Sequence, residues 1–160
     1  SDHIQLWGES LGKININKTK QALTPIALVG PIDQHSFLQL IMDGKRDKTV
    51  TFIKISDFEN NISIPNITLD GFEDFDYING IKFKDLINYQ ADATIQAIEE
   101  LKDIPCDVIT IEKQDEKNLA KLMFSFQLLT SIIGAFVQIN TYDQPGVENG
   151  KNILKYNLQK

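Results

Sequence analysis

The sequence predicts an α/β fold, a mainly parallel sheet with helices on its faces, and an incomplete one. Three observations carry that expectation. Strand candidates are separated by helical stretches rather than by tight turns. Only three strands can be found in 160 residues, which is thin for an α/β domain. The chain also opens on a helix-like stretch with no capping pattern before it, as if in the middle of something larger.

Each element has its own local signal. Residues 3–10 are helix-like, and a polar, Lys/Asn-rich loop follows at 12–23. Pro25-Ile-Ala-Leu-Val-Gly30 is a short apolar run ended by Gly-Pro, which predicts a buried strand. Residues 33–42 space Phe37, Leu38, Leu40 and Ile41 as a helix, with Asp33 as its N-cap and Gly44 as its stop. Residues 49–55 are β-branched and alternating, a strand. A connection rich in Asn, Asp, Gly and Pro runs from 57 to 80, a length often tied to function or to holding a partner. Residues 83–101 place Leu86, Ile87, Ala91, Ile95, Ala97 and Ile98 on one helical face. Residues 107–111 form another buried strand. Asp115 and Glu116 open a long helix to about residue 140, where acidic side chains suit the helix dipole. Its stripe Leu122, Phe124, Phe126, Leu129, Ile132 and Ile133 reads as core. A last helix starts at Pro145.

Composition narrows the function classes. Net charge is −6 with no extended basic block, so a nucleic-acid binder is not expected. The apolar stretch 119–137 carries Lys121, Ser125, Gln127, Thr130 and Ser131, and reads as a buried helix rather than a membrane span. The start is polar and lacks the apolar core of a signal peptide. Cys106 is the single cysteine; no intrachain disulfide can form, and a reducing, cytoplasmic setting is expected. Its apolar surroundings suggest a packed residue rather than a nucleophile. With two histidines and one cysteine, a transition-metal site is poorly supported. No Walker-type loop, HExxH, CxxC or GxSxG is present.

Three clusters carry chemistry. In Thr141-Tyr-Asp-Gln-Pro-Gly-Val-Glu-Asn-Gly-Lys151, the Pro marks a helix start. Gln144 then sits at the helix mouth, among unpaired N–H groups that favour anions, with Lys151 two turns further on. Taken alone, Lys151 is a solvated lysine, and Glu148 could simply pair with a neighbouring one. In Gln5-Leu-Trp-Gly-Glu-Ser-Leu-Gly-Lys13, Gln5 and Glu9 are four apart and share a helix face. A carboxylate and an amide so placed can grip adjacent hydroxyls of a polyol, although Glu9 alone is a solvated glutamate and Trp7 more often core than sugar platform. In Gly30-Pro-Ile-Asp-Gln-His35-Ser, His35 follows a strand end, where α/β sheets place ligand-binding groups. A histidine there can move protons near neutral pH; alone it reads as a cap or surface residue.

These clusters, in this order, resemble glucose-6-phosphate isomerase. The run 142–151 is similar to that family's C-terminal signature, and the runs 8–13 and 33–36 to its other C-terminal motifs. Phe136 departs from an expected aliphatic residue, which bears on packing. The resemblance covers the whole chain and implies that 1–160 is a C-terminal domain of that enzyme, with the N-terminal part absent. It implies a three-layer αβα sandwich of SIS (sugar isomerase) type. It implies interconversion of glucose 6-phosphate and fructose 6-phosphate, a step of glycolysis and gluconeogenesis, through a cis-enediol and without a cofactor. Glu9 matches the base. His35 matches the ring-opening histidine that the family supplies from the neighbouring subunit of a homodimer. Lys151 matches a lysine assisting ring opening, and Gln5 and Gln144 match substrate-binding glutamines. The family's Ser/Thr phosphate loop and its enediolate-stabilising arginine have no counterpart here, so the chain alone is expected to be inactive. The alternative is a SIS-type module that binds sugar phosphates without chemistry.

Overall fold

The computed structural model describes residues 2–159. In chain order its elements are α1 (Asp2–Leu11), α2 (Gly30–Asp43), β1 (Val50–Asp57), a 3₁₀ helix (Glu73–Ile78), α3 (Phe83–Leu101), β2 (Cys106–Lys113), α4 (Glu116–Phe136) and α5 (Pro145–Leu158). They fall into two units, residues 28–119 and residues 1–27 with 120–160.

The unit at 28–119 is built on a β–α–β crossover. β1 and β2 pair in parallel, from Val50 opposite Cys106 to Asp57 opposite Lys113. Parallel neighbours need a long connection, and α3 supplies it. Thr51 and Asp107 face each other in the register, and the hydroxyl donates to the carboxylate at 2.9 Å. α3 packs on both strands and on α2. Its Asn88 amide donates to the Ile55 carbonyl at 3.1 Å. Ile41, Ile98 and Ile104 form the buried centre, with Phe37, Val50, Phe52 and Leu101 around them. α3 stops at Lys102, which takes the left-handed conformation (φ 60°), and Pro105 keeps the helix from resuming.

Two expectations fail in this unit. The third strand, predicted at 25–30, is not one: these residues pair with no strand, and the sheet among the described residues has two strands. Pro25 has no N–H for a ladder, and Ile26, Leu28 and Val29 stay exposed. Gly30 and Pro31 open α2 instead of closing a strand. Asp33 is therefore not the N-cap. It lies in the first turn, and its carboxylate reaches back to accept the Val29 N–H at 2.6 Å. Gly44 does close α2, with its N–H on the Leu40 carbonyl. Arg46 finishes that end, donating to the carbonyls of Ile41, Met42 and Gly44 and to Asp103. The 57–80 connection is partly ordered by the 3₁₀ helix and by a bridge between Ser63 and Lys82.

The other unit holds α1, α5 and all but the first turn of α4. Asp115 caps α4, its carboxylate accepting the Asn118 N–H at 2.7 Å. The buried stripe of α4 is Phe126, Thr130 and Gly134, spaced by four. Phe124, Leu129 and Ile132, expected in the core, are exposed: small Thr130 and Gly134 set the side on which neighbours come close. By length and composition alone α4 is apolar enough to cross a membrane. It ends at Phe136 rather than near 140. Gln138 takes φ 60°, and the Ile139 and Gln138 N–H groups bond back to Gly134 and Ala135, a Schellman ending. His3 stacks on Phe126 with 3.7 Å between ring centres and meets Trp7 edge-on, so Trp7 serves packing.

Candidate active site

α1 presents Gln5 and Glu9 one turn apart on an exposed face. The Gln5 amide donates to Glu9 Oε1 at 2.9 Å. Gln144 stands at the N-cap of α5, as the Pro-Gly signal predicts. Its amide makes no capping bond. It donates instead to Glu9 Oε2 at 3.2 Å, across 135 positions of sequence. Each carboxylate oxygen of Glu9 thus has one amide donor, which fixes the carboxylate's orientation while leaving lone pairs facing outward. A carboxylate so oriented, and exposed, can take and return a proton.

The loop before Gln144 is held on several sides. A Cβ on Gly134 would lie 2.0 Å from Thr141 Cγ2, so only glycine lets Thr141 settle on α4. The Tyr142 hydroxyl donates to Ser131 at 3.1 Å. Lys13 reaches Asp143 at 3.0 Å and the Asn140 carbonyl at 2.6 Å. Gly12 permits the turn out of α1 toward Lys13; a Cβ there would meet the Gly8 carbonyl at 2.8 Å. A cleft of about 290 Å³, lined among others by Leu6, Ser10, Ser131 and Tyr142, opens between α1, α4 and this loop. Ligand pockets commonly run from about 300 to 1,000 Å³, so the cleft is the size of part of one.

The remaining predicted residues have other surroundings. Lys151 sits two turns along α5, exposed, and pairs with Glu148 at 2.6 Å. Of the four residues expected to converge, Gln5, Glu9 and Gln144 are joined by hydrogen bonds. His35 is exposed in the first turns of α2, in the other unit. Cys106 opens β2 at the end of the strands opposite to that where parallel sheets bind ligands. Burial, then the nearby charges of Glu99 and Asp107, push its thiol up, which suits a packed residue and not a nucleophile. Lys13, Asn140 and Asp143 carry no role from sequence. Lys13 and Asp143 do stand beside Glu9 and Gln144 in the quoted runs, which is the one signal that could have drawn notice to them.

Fold and cluster together define a mixed α/β segment in which a carboxylate from one end of the chain is clamped by an amide from the other. The relatives of that segment are glucose-6-phosphate isomerases, and the resemblance read from the three motifs holds across almost the whole chain. The chain is 48% identical over 153 residues to the glucose-6-phosphate isomerase of Campylobacter jejuni, a match covering 96% of this chain and 37% of that one. It is 37% identical over 150 residues to the Rubrobacter xylanophilus enzyme, covering 94% and 33%. The Methanocaldococcus jannaschii enzyme matches at 35% over 150 residues, covering 93% and 34%. The chain spans about a third of the length of these curated relatives. No family model matches it. Among solved structures, a hypothetical protein of Thermus thermophilus superposes with a TM-score of 0.90 at 28% identity, covering 99% of this chain and 37% of that one. A glucose-6-phosphate isomerase from Chlamydia trachomatis superposes at 0.72 with 19% identity, covering 98% and 31%, and speaks for the fold alone.

Proposed function

We propose that this chain forms the base-bearing part of a cytoplasmic glucose-6-phosphate isomerase, in a sheet that other strands extend into a SIS-type sandwich. The observation that carries the proposal is the double amide clamp on Glu9. In the proposed reaction the open-chain aldose presents a C2 proton made acidic by the neighbouring carbonyl. Glu9 takes it, leaving a cis-enediolate that becomes the cis-enediol when O1 gains a proton; Glu9 then returns its proton to C1 as the O2 hydroxyl gives up its own, which gives the ketose. Gln5 and Gln144 hold the carboxylate and the sugar hydroxyls. Lys151 and a His35 from a neighbouring subunit assist ring opening. Proton transfer of this kind needs one well-placed carboxylate and no cofactor.

Charge on the enediolate needs a separate donor. The chain's one arginine, Arg46, is committed to the end of α2 and to Asp103. The 160-residue chain by itself is therefore expected to show no robust turnover, since losing such a donor costs roughly 10²–10³ in rate.

The test is a chimaera in which residues 1–160 replace the matched segment of the Campylobacter jejuni isomerase. Glu9→Gln in that protein should cut turnover about 10²–10⁴-fold, the usual span for a positioned base, with substrate binding kept. Unchanged turnover rejects Glu9 as the base.

A further inference from the structure

Lys13 stands out among the charged residues of the unit that carries Glu9. Its side chain is only 7% exposed, although it lies just past the end of α1. Burial of an ammonium is costly unless it is paired and hydrogen-bonded. Its partners are both on the loop before Gln144: the Asp143 carboxylate at 3.0 Å and the Asn140 carbonyl at 2.6 Å. The loop closes on itself around these bonds. Asn140 donates its amide to the other oxygen of Asp143 at 3.0 Å, and its side-chain oxygen accepts the Tyr142 N–H. A backbone bond runs alongside, from the Ile16 N–H to the Gln138 carbonyl at 3.3 Å.

Two lengths of chain are thereby tied at one point. Lys13 lies four residues beyond Glu9, and Asp143 directly precedes Gln144. The second tie between the same two stretches is the Gln144–Glu9 bond itself. That bond is exposed and, at 3.2 Å, long enough to be weak alone. α5, which follows Gln144, has no buried residue.

We propose that Lys13 is a positioning residue: through Asp143 and Asn140 it holds the loop so that Gln144 stays within reach of the Glu9 carboxylate. Its kinetic consequences rest on the isomerase reading above, but its geometric claim does not. Lys13 touches no reacting atom. Its effect passes through Gln144, and a misplacement of about 1 Å at such a group can cost on the order of 10² in rate.

The experiment is a double-mutant cycle in the Campylobacter chimaera, with kcat and KM for fructose 6-phosphate measured for Lys13→Met, Gln144→Ala and the pair. Lys13→Met should lower kcat about tenfold or more, with a smaller change in KM. In the Gln144→Ala background it should lower kcat no further. A lysine needed only for stability would reduce the amount of active protein and add to Gln144→Ala instead. Asp143→Asn removes the ion pair from its exposed side. It should shift kcat the same way by less, and it decides the matter if Lys13→Met does not fold. Unchanged kcat in both variants, or simple additivity in the cycle, overturns the proposal. An inactive unmutated chimaera counts against the isomerase reading. The positioning claim is then decided by a crystal structure of the 160-residue chain carrying Asp143→Asn: Gln144 displaced from Glu9 supports it, and an intact Gln144–Glu9 bond overturns it.

Discussion

Residues 28–119 pack Ile41, Ile98 and Ile104 between a helix pair and a parallel strand pair, and His35 is the one predicted site residue they carry. The other unit is the reverse. α5 has no buried residue and α4 buries a single stripe, yet Gln5, Glu9 and Gln144 meet there. One unit centres on an isoleucine cluster; the other buries Leu11 and Phe126 and adds polar ties between distant stretches of chain. A hydrogen bond depends on distance and angle, so the Gln144–Glu9 contact is lost with a small displacement of either end. A substitution should therefore express itself as lost stability in the first unit and as lost geometry in the second.

The contrast can be broken or sharpened by substitution. The largest effect is expected for Glu9→Gln in the chimaera. It touches no core residue, so thermal stability should stay put while turnover falls by orders of magnitude. A large drop in melting temperature would show that the amide clamp is structural. Ile98→Ala comes next. Ile98 is fully buried, and truncation in such a setting costs about 2–5 kcal/mol, read by chemical denaturation of the chain. Loss of less than about 1 kcal/mol would mean that the isoleucine cluster is not the centre of its unit. Gly134→Ala is smaller in energy, about 1–3 kcal/mol for overpacking. Its consequence should be local. The added methyl displaces Thr141, so resonances of 140–144 should move while those of β1 and β2 do not. Shifts spread through the strands would contradict a separation into two units.

Much of the first unit was legible in the sequence. Strand periodicity at 49–55 and 107–111 and the apolar face of 83–101 predict β1, β2 and α3, because each signal reports burial within one element. The third strand misled for a reason of the same kind. Residues 25–30 have strand-like side chains, but a strand also needs a neighbour and free N–H groups, and neither Pro25 nor the exposure of Leu28 and Val29 is visible in hydrophobicity. The α4 stripe misled because side-chain size, not hydrophobicity, chose the buried face: Thr130 and Gly134 go in while Phe124 stays out. At the site, Gln5 and Glu9 were legible from their spacing alone. Gln144 joins them only through tertiary structure, and it was the motif resemblance that linked the two. The role of Lys13 was not legible, since a lysine just past a helix end ordinarily complements the dipole in solvent, and its partner Asn140 lies 127 positions away.

The central claim, that one carboxylate joins amides from the two ends of this chain, is open to a direct measurement. The side-chain NH₂ signals of Gln5 and Gln144 can be compared in ¹⁵N-labelled chain with and without Glu9→Ala, which removes the shared acceptor. The structure predicts that both signals shift on that one substitution, because each amide donates to a Glu9 oxygen. A Gln5 signal that shifts while that of Gln144 stays still would mean that the two ends do not meet at Glu9.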